Sequence, residues 1–143
     1  MVQENRLNRF IEAQNGVYES VLSELASGRK WGHWMWFIFP QISGLGMTEM
    51  SKIFSISSPA EALEYLEHPV LGTRLQECTK LVLDIKNKSA EEIFGSVDSM
   101  KFRSCMTLFN SCQNSTGIFQ KSLTKYFKGK PDAATLKLLE HLE

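Results

Sequence analysis

The sequence has no excess of charge of either sign. Its 143 residues include 16 basic and 16 acidic side chains, so the formal net charge at pH 7 is zero. A protein that binds nucleic acid or an anionic membrane through its overall charge carries a basic excess. The composition therefore gives no overall signal for either partner and leaves only a local patch open.

The sequence also lacks long apolar runs and has few cysteines. No run reaches the roughly 18 apolar residues of a membrane-spanning helix. The first residues, Met-Val-Gln-Glu-Asn-Arg, lack the basic-then-apolar order of a signal peptide. The three cysteines include no Cys-x-x-Cys pair. We therefore expect a cytoplasmic protein with free thiols and no membrane partner.

Several signatures of cofactor and metal sites are missing. Gly44-x-Gly46 has neither a third glycine nor a preceding strand, so it is not a dinucleotide-binding motif. No Gly-Lys-Ser/Thr sequence occurs. His33, His68 and His141 lie far apart and lack the spacing of metal ligands. The sequence therefore predicts no cofactor and no metal ion.

Helical signals dominate what the sequence does contain. Apolar residues recur at helical spacing through most of the chain, without the apolar–polar alternation of strands. Ser58 and Ser89 begin capping boxes, Asp98 and Asp132 are placed to begin helices, and Gly28 is placed to end one. These patterns predict an all-α fold: a single compact domain over residues 1–143, with about seven to nine helices, several of them short.

One segment, residues 29–46, holds all three tryptophans of the chain. Burial of three indoles is worth roughly 10–18 kcal/mol of gross driving force, at about 150–250 Å² each. We therefore expect the rest of the chain to cover this segment. Between Trp31 and Phe39 we favour a short buried helix, although the same apolar run is compatible with a buried strand.

The same segment contains the first candidate site. A helix would place His33 and Trp36 on one face, while Trp34 points elsewhere and Gln41 follows nearby. An imidazole, an indole and an amide suit a planar heteroaromatic ligand, which needs stacking for its ring and hydrogen bonds for its edge. The competing interpretation, which composition alone favours, is a buried histidine satisfied by backbone carbonyls in a tryptophan-rich core.

The second candidate site lies on the helix predicted after Asp98. Lys101, Ser104 and Thr107 recur every three residues on one face, and Arg103 lies one turn before Thr107. A cation with two hydroxyls can hold a phosphate or a carboxylate. The same residues are commonly the solvated face of an amphipathic helix.

Arg74, on another predicted helix, is a third cation that could converge on the same ligand. A surface ion pair with a nearby acid such as Glu77 is the alternative.

A series of short motifs resembles a known family. They include His33-Trp-Met-Trp36, Phe39-Pro-Gln41, Gly44-Leu-Gly46, Pro69-Val-Leu-Gly72, Ile93-Phe-Gly95 and Asp98-x-x-Lys101. Between about residues 6 and 140 the sequence is similar to the bacterial and fungal family called domain of unknown function 1810, sometimes labelled calpastatin-like. The resemblance implies a small, soluble, mainly helical intracellular domain and brings no established activity.

These observations lead to two functional hypotheses. In the first, the domain binds a small anionic ligand, nucleotide- or ADP-ribose-like, and could be a hydrolase- or transferase-type enzyme. Its ligand-binding residues would be Trp34, Trp36, Gln41, Arg74, Lys101, Arg103, Ser104 and Thr107. In an enzyme, His33 would be the general acid or base and Asp98 would orient it. In the second, the domain is a non-catalytic protein-interaction module whose tryptophan-rich segment is structural core.

Overall fold

The apolar periodicity of the sequence produces helices joined by short turns. The structure is a computed structural model that describes residues 2–112 and 116–142. Within these ranges the helices are α1 (Val2–Asn15), α2 (Tyr18–Ser27), α3 (Met35–Ile38), α4 (Glu49–Ile53), α5 (Pro59–Glu67), α6 (Leu71–Asp84), α7 (Ala90–Phe94), α8 (Ser96–Asn110), α9 (Ile118–Phe127) and α10 (Ala133–His141). Seven of these ten have seven or more residues, and the described ranges contain no strand. The predicted all-α fold is confirmed.

Several helix ends are set by local interactions that the sequence predicts. The Ser89 hydroxyl accepts from the Glu92 N–H and the Glu92 carboxylate accepts from the Ser89 N–H, which completes a capping box. The Asp132 carboxylate accepts from the Thr135 N–H at 2.9 Å and begins α10. Gly28 ends α2 with φ +88°, a left-handed conformation that favours glycine.

Two local predictions are wrong in part. The helix expected between Trp31 and Phe39 covers only Met35–Ile38. Residues 31–34 instead form a turn in which the Trp31 and Gly32 N–H groups donate to the Glu24 carboxylate. Asp98 does not begin a helix, because α8 already starts at Ser96, directly after the turn at Gly95. Asp98 therefore lies in the first turn of α8, with its carboxylate available for other partners.

Helix α8 is the centre of the core and packs against α5, α7, α9 and α10. Phe102 and Phe109 on α8 are fully buried among other aromatic rings. Phe102 stacks on Phe94 with 4.9 Å between ring centroids, and it forms a T-shaped pair with Phe39 at 5.0 Å. Packing on several sides of α8 buries residues that its sequence would otherwise place on a solvated face.

The tryptophan-rich segment is only partly covered. Trp34 is 3% exposed and belongs to the core, Trp36 is half-buried, and Trp31 is 66% exposed. The expectation that the whole segment is buried is therefore wrong for Trp31, whose ring lies under the Arg29 guanidinium at 4.4 Å.

No helix in the described part of the chain has the length and apolar character of a membrane span.

Candidate functional site

An open groove with a volume of about 410 Å³ lies where α8 faces the 41–48 loop and the start of α10. Small-molecule sites in proteins have volumes of about 300–1,000 Å³. Polar lining residues include Gln41, Ser51, Lys101, Ser104 and Asp132, and apolar ones include Leu45, Met47, Val97 and Met100. The groove therefore combines an apolar rim with a few polar groups.

Lys101 projects from α8 into this groove. Its ammonium lies 5.0 Å from the centroid of the Trp36 ring, within the range of a cation–π contact. The ammonium is also 3.4 Å from Oδ1 of Asp98, one turn earlier on the same helix. Apart from this loose ion pair and the contact with the Trp36 ring, the Lys101 ammonium has no partner among the described residues, so it can donate to a ligand.

Asp98 has a second and closer cationic partner, Lys30. The Lys30 ammonium lies 2.8 Å from Oδ2 of Asp98 and also donates to the Gly32 carbonyl at 2.6 Å. Its nitrogen is 5.2 Å from the centroid of the Trp34 ring. Lys30 was not among the residues predicted for the site, and its place in the tryptophan-rich segment is a signal that could have identified it.

Glu24 holds the turn that carries Lys30. Its Oε1 accepts from the N–H groups of Trp31 and Gly32 at 2.6 and 2.9 Å, and from Nε1 of Trp34 at 3.0 Å. Burial opposes ionisation of this carboxyl group, but the hydrogen bonds and the nearby Lys30 charge outweigh it and lower the pKa of Glu24. An ionised Glu24 thus fixes the turn and, with it, the position of Lys30.

Two further residues predicted for the site line the groove. Gln41 is half-buried, and its backbone carbonyl accepts from the Ile56 N–H at 2.8 Å. Its side-chain amide has no hydrogen-bond partner in the described part of the chain. Ser104 is buried and donates to the Met100 carbonyl at 3.1 Å, which leaves its oxygen able to accept another bond. Gln41 and Trp36 also line a smaller cavity beside the groove.

Thr107 and Trp34 form hydrogen bonds within the protein. The Thr107 hydroxyl is buried, donates to the Arg103 carbonyl and accepts from the Asp132 N–H, each at 2.8 Å. Trp34 is buried, and its indole N–H donates a hydrogen bond to the Glu24 carboxylate. Neither side chain lines the groove.

The remaining predicted residues lie away from the groove. Arg74 on α6 donates to Gln14 Oε1 at 3.1 Å and to Asn15 Oδ1 at 3.3 Å, and it stacks on Tyr18. Arg103 donates to the Lys130 carbonyl at 2.9 Å. His33 is exposed in the turn before α3.

The groove therefore brings Gln41, Lys101 and Ser104 together, with Trp36 and Asp98 as neighbours of Lys101. Among the described residues, no group of three or more His, Cys, Asp or Glu side chains is placed to hold a metal ion.

Comparisons with known proteins agree with the resemblance found in the sequence. The model of a family described as "Protein of unknown function (DUF1810)" matches residues 4–139. The crystal structure of the conserved hypothetical protein Rv1873 from Mycobacterium tuberculosis is similar, with a TM-score of 0.92 and 48% identity. The match covers 94% of this chain and 96% of that chain. A comparison with curated proteins found no match. Because the family model spans most of the chain and the related structure is similar throughout, this chain belongs to the DUF1810 family.

Proposed function

We propose that the groove binds a small anionic ligand with nucleotide- or ADP-ribose-like chemistry. Lys101 holds the anionic group and Gln41 recognises a polar edge of the ligand. One observation carries this proposal: the two side chains come from separate elements, line the same groove, and have hydrogen-bonding capacity that the described residues do not use.

The local charge supports an anion next to Lys101. Lys30 and Lys101 flank the single carboxylate of Asp98, so the three groups together carry one net positive charge. Asp132 adds a carboxylate to the groove, but its Oδ2 accepts two hydrogen bonds from Thr135 at the N-terminus of α10. The partial positive charge of that helix end compensates part of the Asp132 charge.

The rim of the groove suits an apolar or planar body. Met47 is 84% exposed, and Val97 and Met100 are also largely exposed. Methionine side chains are flexible and make favourable contacts with aromatic rings. The ring of the ligand would therefore lie against the methionines rather than against Trp34, which is buried in the core.

His33, the candidate general acid or base, is exposed in the turn before α3 and does not line the groove. We therefore propose binding here and assign no reaction.

Titration with AMP and with ADP-ribose by isothermal calorimetry tests this function. We expect saturable binding to the wild-type protein and at least a tenfold loss of affinity in Lys101→Met, the order of magnitude of one lost charge contact. Lys80→Met is the matched control, because Lys80 pairs with Asp84 on its own helix, α6, at 3.1 Å and lies outside the groove. Equal affinities of Lys101→Met and wild type, or no binding to wild type, would reject the proposal.

The exposed apolar rim also favours a second candidate, a non-catalytic protein-interaction module. Contiguous exposed apolar side chains commonly mark protein contacts. This candidate predicts that neither nucleotide binds, and that Met47→Ser improves solubility without lowering the thermal midpoint. Saturable binding of AMP that depends on Lys101 would favour the first function over this one.

A further inference from the structure

We infer that Lys30 is a positioning residue for the anion site: it neutralises Asp98, so that the charge of Lys101 remains available to a ligand. This inference rests on the proposed function and concerns the same groove. It adds a residue that does not itself contact the groove.

The Asp98 carboxylate lies closer to Lys30 than to Lys101. Its Oδ2 is 2.8 Å from the Lys30 nitrogen, the usual separation of a close ion pair between an ammonium and a carboxylate. Its Oδ1 is 3.4 Å from the Lys101 nitrogen, which is longer than a normal hydrogen bond. Asp98 therefore pairs mainly with Lys30 and only loosely with Lys101.

Lys30 is also more buried than Lys101. The Lys30 side chain is 9% exposed, and its ammonium is already engaged by Asp98, the Gly32 carbonyl and the Trp34 ring. The Lys101 side chain is 23% exposed and lines the groove. Lys30 is thus placed to compensate Asp98, and Lys101 is placed to meet a ligand.

The consequence follows from the charge of the cluster. With Lys30 present, two ammonium groups surround one carboxylate and the sum is positive. Without Lys30, Asp98 and Lys101 form a neutral pair, and the carboxylate competes with an incoming anion for the same ammonium. Partial burial of all three groups limits the screening of this competition by salt.

A double-mutant cycle tests the inference. AMP affinity is measured by calorimetry at low ionic strength for wild type, Lys30→Met, Asp98→Asn and the double variant. We expect Lys30→Met to bind about tenfold more weakly, in the range found for close charge pairs at binding sites. The double variant should return to within about threefold of wild type, because removal of both charges restores the net charge of the cluster.

This compensation separates a positioning role from a merely structural one. If Lys30 only anchored its turn, Asp98→Asn would not rescue Lys30→Met, and a double variant as weak as the single one would overturn the inference. If Lys30→Met fails to fold, the AMP affinity of Asp98→Asn alone tests the inference. We expect it to bind AMP at least as tightly as wild type, and weaker binding would overturn the inference.

A control and two further outcomes keep the two proposals apart. Lys80→Met and Asp84→Asn remove an exposed ion pair outside the groove and should leave AMP affinity unchanged. If Lys101→Met weakens binding while Lys30→Met does not, the inference fails and the proposed function stands. If wild type binds neither AMP nor ADP-ribose, both fail.

Discussion

The Thr107 hydroxyl accepts a hydrogen bond from the backbone N–H of Asp132 at 2.8 Å. This bond joins the middle of α8 to the residue that begins α10, beside the groove. A threonine predicted to hold a ligand is therefore part of the support of the site.

Thr107→Val should lower the free energy of unfolding by about 1–2 kcal/mol, because the isosteric side chain leaves the Asp132 N–H without its acceptor. Urea unfolding measures the change, and AMP affinity should remain within about twofold of wild type. Thr73→Val is the control, since Thr73 is exposed on α6. A variant with wild-type stability and lost AMP binding would instead make Thr107 a ligand residue.

Gln14→Leu should destabilise the protein by about 2 kcal/mol or more, because the Gln14 amide is buried between several partners. Its nitrogen donates to the Phe37 carbonyl at 2.7 Å and to the Tyr65 hydroxyl, and its oxygen accepts from Arg74. The urea midpoint checks this expectation. Gln120→Leu, an exposed position on α9, should change stability by less than about 0.5 kcal/mol, and equal effects of the two substitutions would contradict the structure.

The tryptophans should respond differently to the same substitution. Trp34→Phe removes the hydrogen bond to Glu24 and leaves a small cavity, so we expect a loss of about 1–3 kcal/mol. Trp31→Phe alters an exposed side chain and should remain within about 0.5 kcal/mol of wild type. Thermal unfolding of both variants compares them directly. A larger loss for Trp31→Phe would show that the turn is packed differently.

Stability should fall at alkaline pH. Burial, with a smaller contribution from the Asp84 charge, raises the pKa of Tyr126 to about 12. Burial is also the main cause that raises the pKa of the free thiol of Cys78 to about 12. In the unfolded chain these groups lose their protons at lower pH, about 10 for tyrosine and about 8.5 for cysteine.

The sign of this effect follows from proton binding. Between about pH 9 and 12 the folded protein keeps protons that the unfolded chain has released, so the free energy of unfolding decreases as pH rises. The contribution of these two groups to the free energy of unfolding is fully present at a pH below their unfolded pKa values. It is lost as the pH rises to their folded pKa values. Urea midpoints at pH 8, 10 and 11 measure the slope, which should be smaller in Tyr126→Phe. A flat profile over this range would contradict the burial of both groups.

Local interactions explain why much of the fold was predictable. The capping box at Ser89, the N-cap at Asp132 and the left-handed Gly28 each depend on residues within one turn of the chain. Apolar residues at helical spacing identify helices for the same reason, since the residues three and four apart that share a face are specified by the sequence itself. The all-α fold follows from such short-range interactions.

The candidate site was only partly predictable because its geometry depends on contacts between distant segments. Gln41 and Lys101 were selected for their chemistry, and both line the groove. Arg74 was selected on the same grounds, but its guanidinium contacts Gln14 and Asn15 on α1. Nothing in the local pattern around Arg74 distinguishes a ligand contact from a contact between helices.

By itself, the sequence determined the all-α fold and those helix starts where a neighbouring side chain accepts from the backbone donors, as at Ser89 and Asp132. Only the tertiary structure decided which polar residues face the groove. It brought Lys30 to Asp98, turned Thr107 toward Asp132 and left Trp31 exposed. The physical reason is that burial and charge pairing are set by the packing of helices that are distant in the chain, and this packing depends on the whole core at once.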